Sequence, residues 1–152
     1  MVEIKAGLDG AGLKIGIVRC RFNEPIGRVE LEACLGRLGE LGVAGSDIAV
    51  VAVAGALEAP LTLQRLAATG KYDALVALGA VIRGDTYHFE VVANESARGV
   101  MDVALDFGLP IANGILTTEN EQQALARLDK GAEAVKVAVE MVKLKERIHE
   151  ER

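Results

Sequence analysis

The chain has 152 residues, 51% hydrophobic and 26% charged, a balance that suits one unit spanning 1–152 rather than two domains or a disordered chain. A net charge of −5, from 17 basic and 22 acidic side chains, and an aromatic content of 3% leave neither the positive field nor the stacking platforms of a nucleic-acid binder. No apolar run is long and uncharged enough to cross a bilayer, and the opening MVEIKAGLDGAG has no apolar signal segment, so a cytoplasmic location without membrane partners is expected.

Val2 to Ile4 is a candidate extra strand, set apart by the glycine-rich run Ala6 to Gly12 and suited to pairing with a neighbouring subunit. The first apolar run, Lys14 to Arg19, reads as a strand covered on both faces. Leu31, Cys34, Leu35, Leu38 and Leu41 then follow helical spacing to a stop at Gly42, and Ile48 to Val53 is the second strand. Pro60 opens a helix through Leu61, Leu63, Leu66 and Ala67 to Gly70, since proline in a first turn sacrifices no helical hydrogen bond.

Ala74 to Val81 is the third strand, and a helical pattern from Phe89 to Phe107 ends at Gly108 and Pro110. Ile111 to Leu116 is the fourth strand, followed by a helix expected to contain Arg127. Val135, Ala138, Met141 and Val142 mark the inner stripe of the last helix. This alternation predicts a three-layer α/β sandwich around a four-stranded parallel sheet. Cys20 and Cys34 lie too far apart for a redox pair and are too few for a disulfide framework, so both read as reduced, core-type thiols.

The chemistry-bearing residues follow the strands, where strand ends and helix starts converge. After the first strand, Arg21-Phe22-Asn23-Glu24-Pro25 places a phenylalanine in a polar turn, either to stack on a planar ring or to act as a hydrophobic staple. After the second, Gly55-Ala56-Leu57-Glu58-Ala59-Pro60 puts a carboxylate at a helix entrance. It either favours the helix dipole or orients a ligand amine or amide.

After the third, Arg83-Gly84-Asp85-Thr86-Tyr87-His88 combines a cation, a glycine, a hydroxyl and an imidazole, a set suited to phosphate and proton transfer. Arg83 adds charge there or locks the turn, and His88 is a proton carrier or a helix cap. The sequence contains no Walker A motif, GxGxxG or nucleophile elbow, which disfavours triphosphates, dinucleotides and a hydrolase triad. After the fourth strand, Arg127 and Lys130 suggest an anion contact or plain surface solvation.

In order, RFN at 21–23, GALEAP at 55–60, GAVIRGDTYHFE at 79–90, NESARG at 94–99 and GILTTENEQQALAR at 114–127 resemble the lumazine synthase family over nearly the whole chain. The resemblance implies a flavodoxin-like fold and the condensation of 5-amino-6-(ribitylamino)uracil with 3,4-dihydroxy-2-butanone 4-phosphate. The products are 6,7-dimethyl-8-ribityllumazine, phosphate and water, in the penultimate step of riboflavin biosynthesis, with no metal or organic cofactor. It implies that Phe22 stacks on the pyrimidine, Asn23, Ala56, Leu57 and Glu58 surround the ribityl chain, and Val81 and Ile82 offer backbone contacts. Gly84, Asp85 and Thr86 would cradle the phosphate, His88 would move protons, and Arg127 would reach the phosphate from an adjacent subunit.

The resemblance also implies a homo-oligomer with shared sites, a pentamer or a 60-subunit shell, and riboflavin synthase as a candidate partner. Three departures stand out: Asn113 and Leu57 replace frequent aromatics, and the Arg127–Lys130 segment is short, which weakens Lys130 as the family's phosphate lysine. The alternatives are a pentameric riboflavin synthase of the same fold, a non-catalytic shell or flavin-binding protein, and a small phosphate-sensing domain.

Overall fold

Four strands, β1 (Ile15–Cys20), β2 (Ile48–Val53), β3 (Ala74–Ile82) and β4 (Ile111–Thr118), lie parallel in the order β2-β1-β3-β4 in the computed structural model, which describes residues 1–150. Among the described residues five α-helices connect and cover them: α1 (Glu24–Glu40), α2 (Ala59–Ala68), α3 (His88–Phe107), α4 (Glu121–Leu125) and α5 (Lys130–Glu150). This is the three-layer, flavodoxin-like order, in which chain direction across the sheet reverses between β1 and β3 and opens a crevice at their carboxyl ends.

Alternation along each strand sends side chains to two separate cores. Ile15, Ile17, Val76 and Leu78 pack with Cys34 and Leu38 of α1 and Val135, Ala138, Val139 and Val142 of α5. Val18, Cys20, Leu75 and Ala77 pack with Ala59 and Leu63 of α2 and Val100 and Val103 of α3. Each fully buried leucine or isoleucine in these layers contributes about 1.5–3 kcal/mol relative to exposure. No helix among the described residues is long and apolar enough to cross a membrane.

The β2 strand has the expected bounds, whereas β3 and β4 continue past Val81 and Leu116 because Val81 pairs with Thr117 and Ile82 with Thr118. In α1 the buried stripe is Ile26, Gly27, Glu30, Cys34 and Leu38, and the expected inner residue Leu35 is 38% exposed. A carboxylate inside that stripe hid its true phase. Pro60 sits in the first turn of α2 as expected, but Leu61 faces outward. Met141 of α5 is likewise exposed beside the buried Val135, Ala138 and Val142.

The third helix ends as read, with Gly108 in the left-handed conformation at φ 58°. Arg127 lies not in a helix but in the turn after the short α4, whose start is capped by Asn120 Oδ1 accepting from Gln123 N–H at 2.8 Å. Val2–Ile4 forms no strand within the chain.

Candidate active site

Phe22, Asn23, Ala54–Glu58, Ala80–Ile82, His88 and Val92 line one crevice of about 570 Å³ above the β1/β3 reversal. Its walls come from the ends of three strands and the start of α3, which is why residues spread from 22 to 92 meet.

Asn23 shapes the first wall. It adopts φ 59° and ψ 45°, a left-handed backbone that asparagine tolerates better than most residues, and caps the start of α1. Its Nδ2 donates to Ala80 O at 2.9 Å, tying the β1–α1 turn to the end of β3. Arg19 and Arg28 both contact Glu24 in the next turn, and the bond from Arg19 holds the Glu24 carboxyl below its ordinary range.

Phe22 is 66% exposed and lies over Gly55, where a Cβ would stand 2.5 Å from the ring. A hydrophobic staple would pair Phe22 with the fourth helical residue, but that residue is Gly27, which has no side chain to offer. The ring is therefore a wall of the crevice. Glu58 closes a single 3-10 turn, Ala56–Glu58, and makes no side-chain cap bond to α2. Its Oε1 lies 3.4 Å from the Cβ position at Gly55, beside the ring. Ala56 is buried under this turn and Leu57 stays 42% exposed at the rim.

His88 is the first residue of α3, and its backbone N–H makes a long 3.4 Å contact to Thr86 Oγ1. Gly84, Asp85 and Thr86 form the exposed loop that leads to it, outside the residues lining the crevice itself. Of the two readings for Arg83, the structure selects the lock. Its guanidinium pairs with Glu90 of α3 and Glu119 after β4, and lies 4.5 Å over the Phe89 ring. These bonds hold the Arg83 pKa up and the Glu90 pKa down. Glu90 and Glu119 are partners that the sequence reading missed, because they come from different elements.

Asn113, Arg127 and Lys130 do not join this crevice. They line another, of about 470 Å³, with Leu116, Thr118 and Glu133 beside β4. There Asn113 Oδ1 accepts from Ile115 N–H at 3.0 Å, satisfying a donor on the sheet's edge strand, and Arg127 Nη1 donates to Gln123 O at 2.8 Å. Cys20, behind the crevice, is 1% exposed, and burial pushes its thiol up to about 12, as befits a small hydrophobe rather than a nucleophile. Among the described residues no group of three or more His, Cys, Asp and Glu is placed to hold a metal ion.

Fold and crevice together define a flavodoxin-like α/β protein with a small-molecule-sized site at the reversal point of its sheet. The 6,7-dimethyl-8-ribityllumazine synthase family matches residues 12–146, and the chain belongs to it. The 6,7-dimethyl-8-ribityllumazine synthase of Paraburkholderia phymatum is 57% identical over 143 residues, covering 93% of this chain and 83% of the relative. Those of Burkholderia multivorans and Burkholderia vietnamiensis are also 57% identical over 93% of this chain, covering 83% and 85% of the relatives. These matches favour lumazine synthase over a riboflavin synthase of the same fold.

Proposed function

We propose that the crevice above the β1/β3 reversal is the active site for condensing 5-amino-6-(ribitylamino)uracil with 3,4-dihydroxy-2-butanone 4-phosphate. The chain is a transferase of riboflavin biosynthesis, and its products are 6,7-dimethyl-8-ribityllumazine, phosphate and water. The observation that carries the site assignment is the convergence of Phe22, Glu58 and His88, from three different loops, on one crevice.

Phe22 stacks on the pyrimidine, because a flat apolar ring matches a planar heterocycle. Asn23, Ala56, Leu57 and Glu58 surround the ribityl chain, and the backbone of Val81 and Ile82 meets the ring edge. Gly84, Asp85 and Thr86 cradle the phosphate through backbone N–H groups at the approach to α3. His88 exchanges protons during imine formation, phosphate loss and ring closure, steps whose intermediates each gain or lose a proton near neutral pH. Holding two substrates in one crevice supplies much of the remaining acceleration.

The enzyme takes small-molecule substrates and is an oligomer, as its family membership implies. In the assembly proposed here, a pentamer or a shell built from pentamers, Arg127, Asn113 and Lys130 of one subunit complete the crevice of the next. Val2–Ile4 adds a strand to a neighbour, and riboflavin synthase is the candidate partner that consumes the product. The separation of the Arg127 crevice from the His88 crevice within one chain supports sharing.

The test mixes purified protein with both substrates and follows lumazine absorbance and phosphate release. Coupled formation of both products above background is expected, with kcat/KM at least about tenfold lower in His88→Ala and in Arg127→Ala. Mixed assemblies of the two variants should recover part of the activity, because some shared sites then contain both intact residues. Turnover no faster than background would overturn the site assignment, and failure of mixed assemblies to recover activity would overturn the sharing.

A further inference from the structure

Beneath the crevice floor lies an ionisable side chain that the condensation does not use. Glu30, in the second turn of α1, is 0% exposed. Its Oε1 accepts from Gly79 N–H at 3.1 Å, and its Oε2 is buried without a hydrogen-bond partner. Gly79 lies one residue past Leu78, the last β3 residue paired with β1. The carboxyl thus supplies an acceptor where β1 has left the ladder, at the reversal that opens the crevice.

The backbone at Glu30 cannot easily move. A Cβ on Gly131 of α5 would stand 2.2 Å from Glu30 O, so the two helices touch backbone to backbone at this residue. The groups facing the carboxyl are few. Its own helix offers Cys34 and β1 offers Cys20, both neutral thiols pushed up to about 12 by burial. The third strand offers the Gly79 N–H, and α5 offers Lys130, whose charge favours the ionised form. Burial outweighs Gly79 and Lys130 and raises the Glu30 carboxyl to about 8.

We propose that Glu30 is a positioning residue for the crevice, working as a neutral carboxylic acid that holds the end of β3, and that its ionisation releases that strand end. The Gly79 bond fixes the backbone immediately before Ala80, whose carbonyl accepts from Asn23, and before Val81 and Ile82, which line the crevice. Ionisation by itself strengthens the Gly79 bond, but that bond pairs only one of the two charged oxygens in an apolar layer, and the carboxyl relieves the other by swinging toward Lys130 and water. Gly79 then loses its acceptor, and two walls of the crevice lose their common anchor.

The inference rests on the crevice being the active site, and the test separates the two. The pH profile of kcat/KM from pH 6 to 9.5 is measured for wild type, Glu30→Gln and Glu30→Leu, with amide hydrogen exchange of segment 79–82 followed over the same range. Wild type should lose about tenfold in kcat/KM per pH unit above an alkaline midpoint near pH 8. Glu30→Gln keeps the acceptor without the titration, so its turnover at pH 6.5 should lie within about threefold of wild type and lack that limb. Glu30→Leu leaves Gly79 N–H unpaired and should be about tenfold slower at pH 6.5, also without the limb.

In wild type, protection of segment 79–82 should fall above pH 8 beyond the intrinsic base-catalysed increase, and in Glu30→Gln it should not. An alkaline limb of equal size in Glu30→Gln overturns the inference. So does unchanged protection in wild type, a readout that stands even if both variants fail to fold. Wild type inactive at every pH, with the exchange transition present, would sink the active-site reading and leave the positioning role of Glu30 intact.

Discussion

Gly55 sets the shape of the crevice more directly than any residue that lines it with a side chain. Its φ of −154° is available to any residue, so alanine there meets no backbone strain. A methyl group would nevertheless overlap the Phe22 ring, at 2.5 and 2.8 Å from two of its carbons. Gly55→Ala should raise KM for the pyrimidine substrate several-fold while leaving the melting temperature nearly unchanged, because the displaced ring is mostly exposed. Steady-state kinetics alongside thermal melts check this. A large fall in stability with unchanged KM would contradict the wall assigned to Phe22. Phe22, Glu58 and His88 were legible as candidates because unusual polar and aromatic residues cluster after apolar strands. The role of Arg83 was not, since its acidic partners Glu90 and Glu119 become neighbours only when α3 and the end of β4 come together.

Elements divide into those whose own pattern defines them and those whose partners do. The second strand and the termination of α3 at Gly108 followed from local chemistry, an apolar run and a left-handed glycine stop. The inward face of α1 did not, because the 26-30-34-38 series includes Glu30, and a charged residue does not announce burial. The α1–α5 contact offers a paired test. Gly36→Ala in α1 adds a methyl group in open space and should stabilise by up to about 1 kcal/mol through helix propensity. Gly131→Ala, in the first turn of α5, gains less propensity and drives a Cβ to 2.2 Å from Glu30 O, and should destabilise by about 1–3 kcal/mol net. Denaturant midpoints of the two variants should move in opposite directions, and a stabilised Gly131→Ala would rule out the close helix contact.

For the whole molecule, the buried carboxyl of Glu30 ties stability to pH. Its folded-state pKa of about 8 lies above the ordinary 4.5, so the native state holds a proton that the unfolded chain releases. That contribution is complete below about pH 4.5 and is lost as pH rises through about 8, at up to about 1.4 kcal/mol per pH unit between them. Glu24 and Glu90 are shifted the other way by their arginines, so their contributions are present at neutral pH and are lost on acidification. Both belong to partly exposed ion pairs, with the Glu24 side chain 43% and the Glu90 side chain 27% exposed, and solvent screening reduces such contributions. Wild-type melting temperature should therefore fall from pH 6 to pH 9, and Glu30→Gln should show a shallower fall. Equal slopes would mean that Glu30 is already ionised at neutral pH.

The sequence by itself determined the alternation of strands and helices, the loops that bear the chemistry and, through five motifs in order, the family. All of these are encoded by residues close together in the chain, in hydropathy period and turn chemistry. Only the tertiary structure decided that Phe22 lies over Gly55, that Arg83 is spent on a lock, that Arg127 and His88 line separate crevices of one chain, and that Glu30 is buried under the strand reversal. Each of these depends on which distant segments the sheet order β2-β1-β3-β4 brings side by side, and local periodicity carries no record of that order.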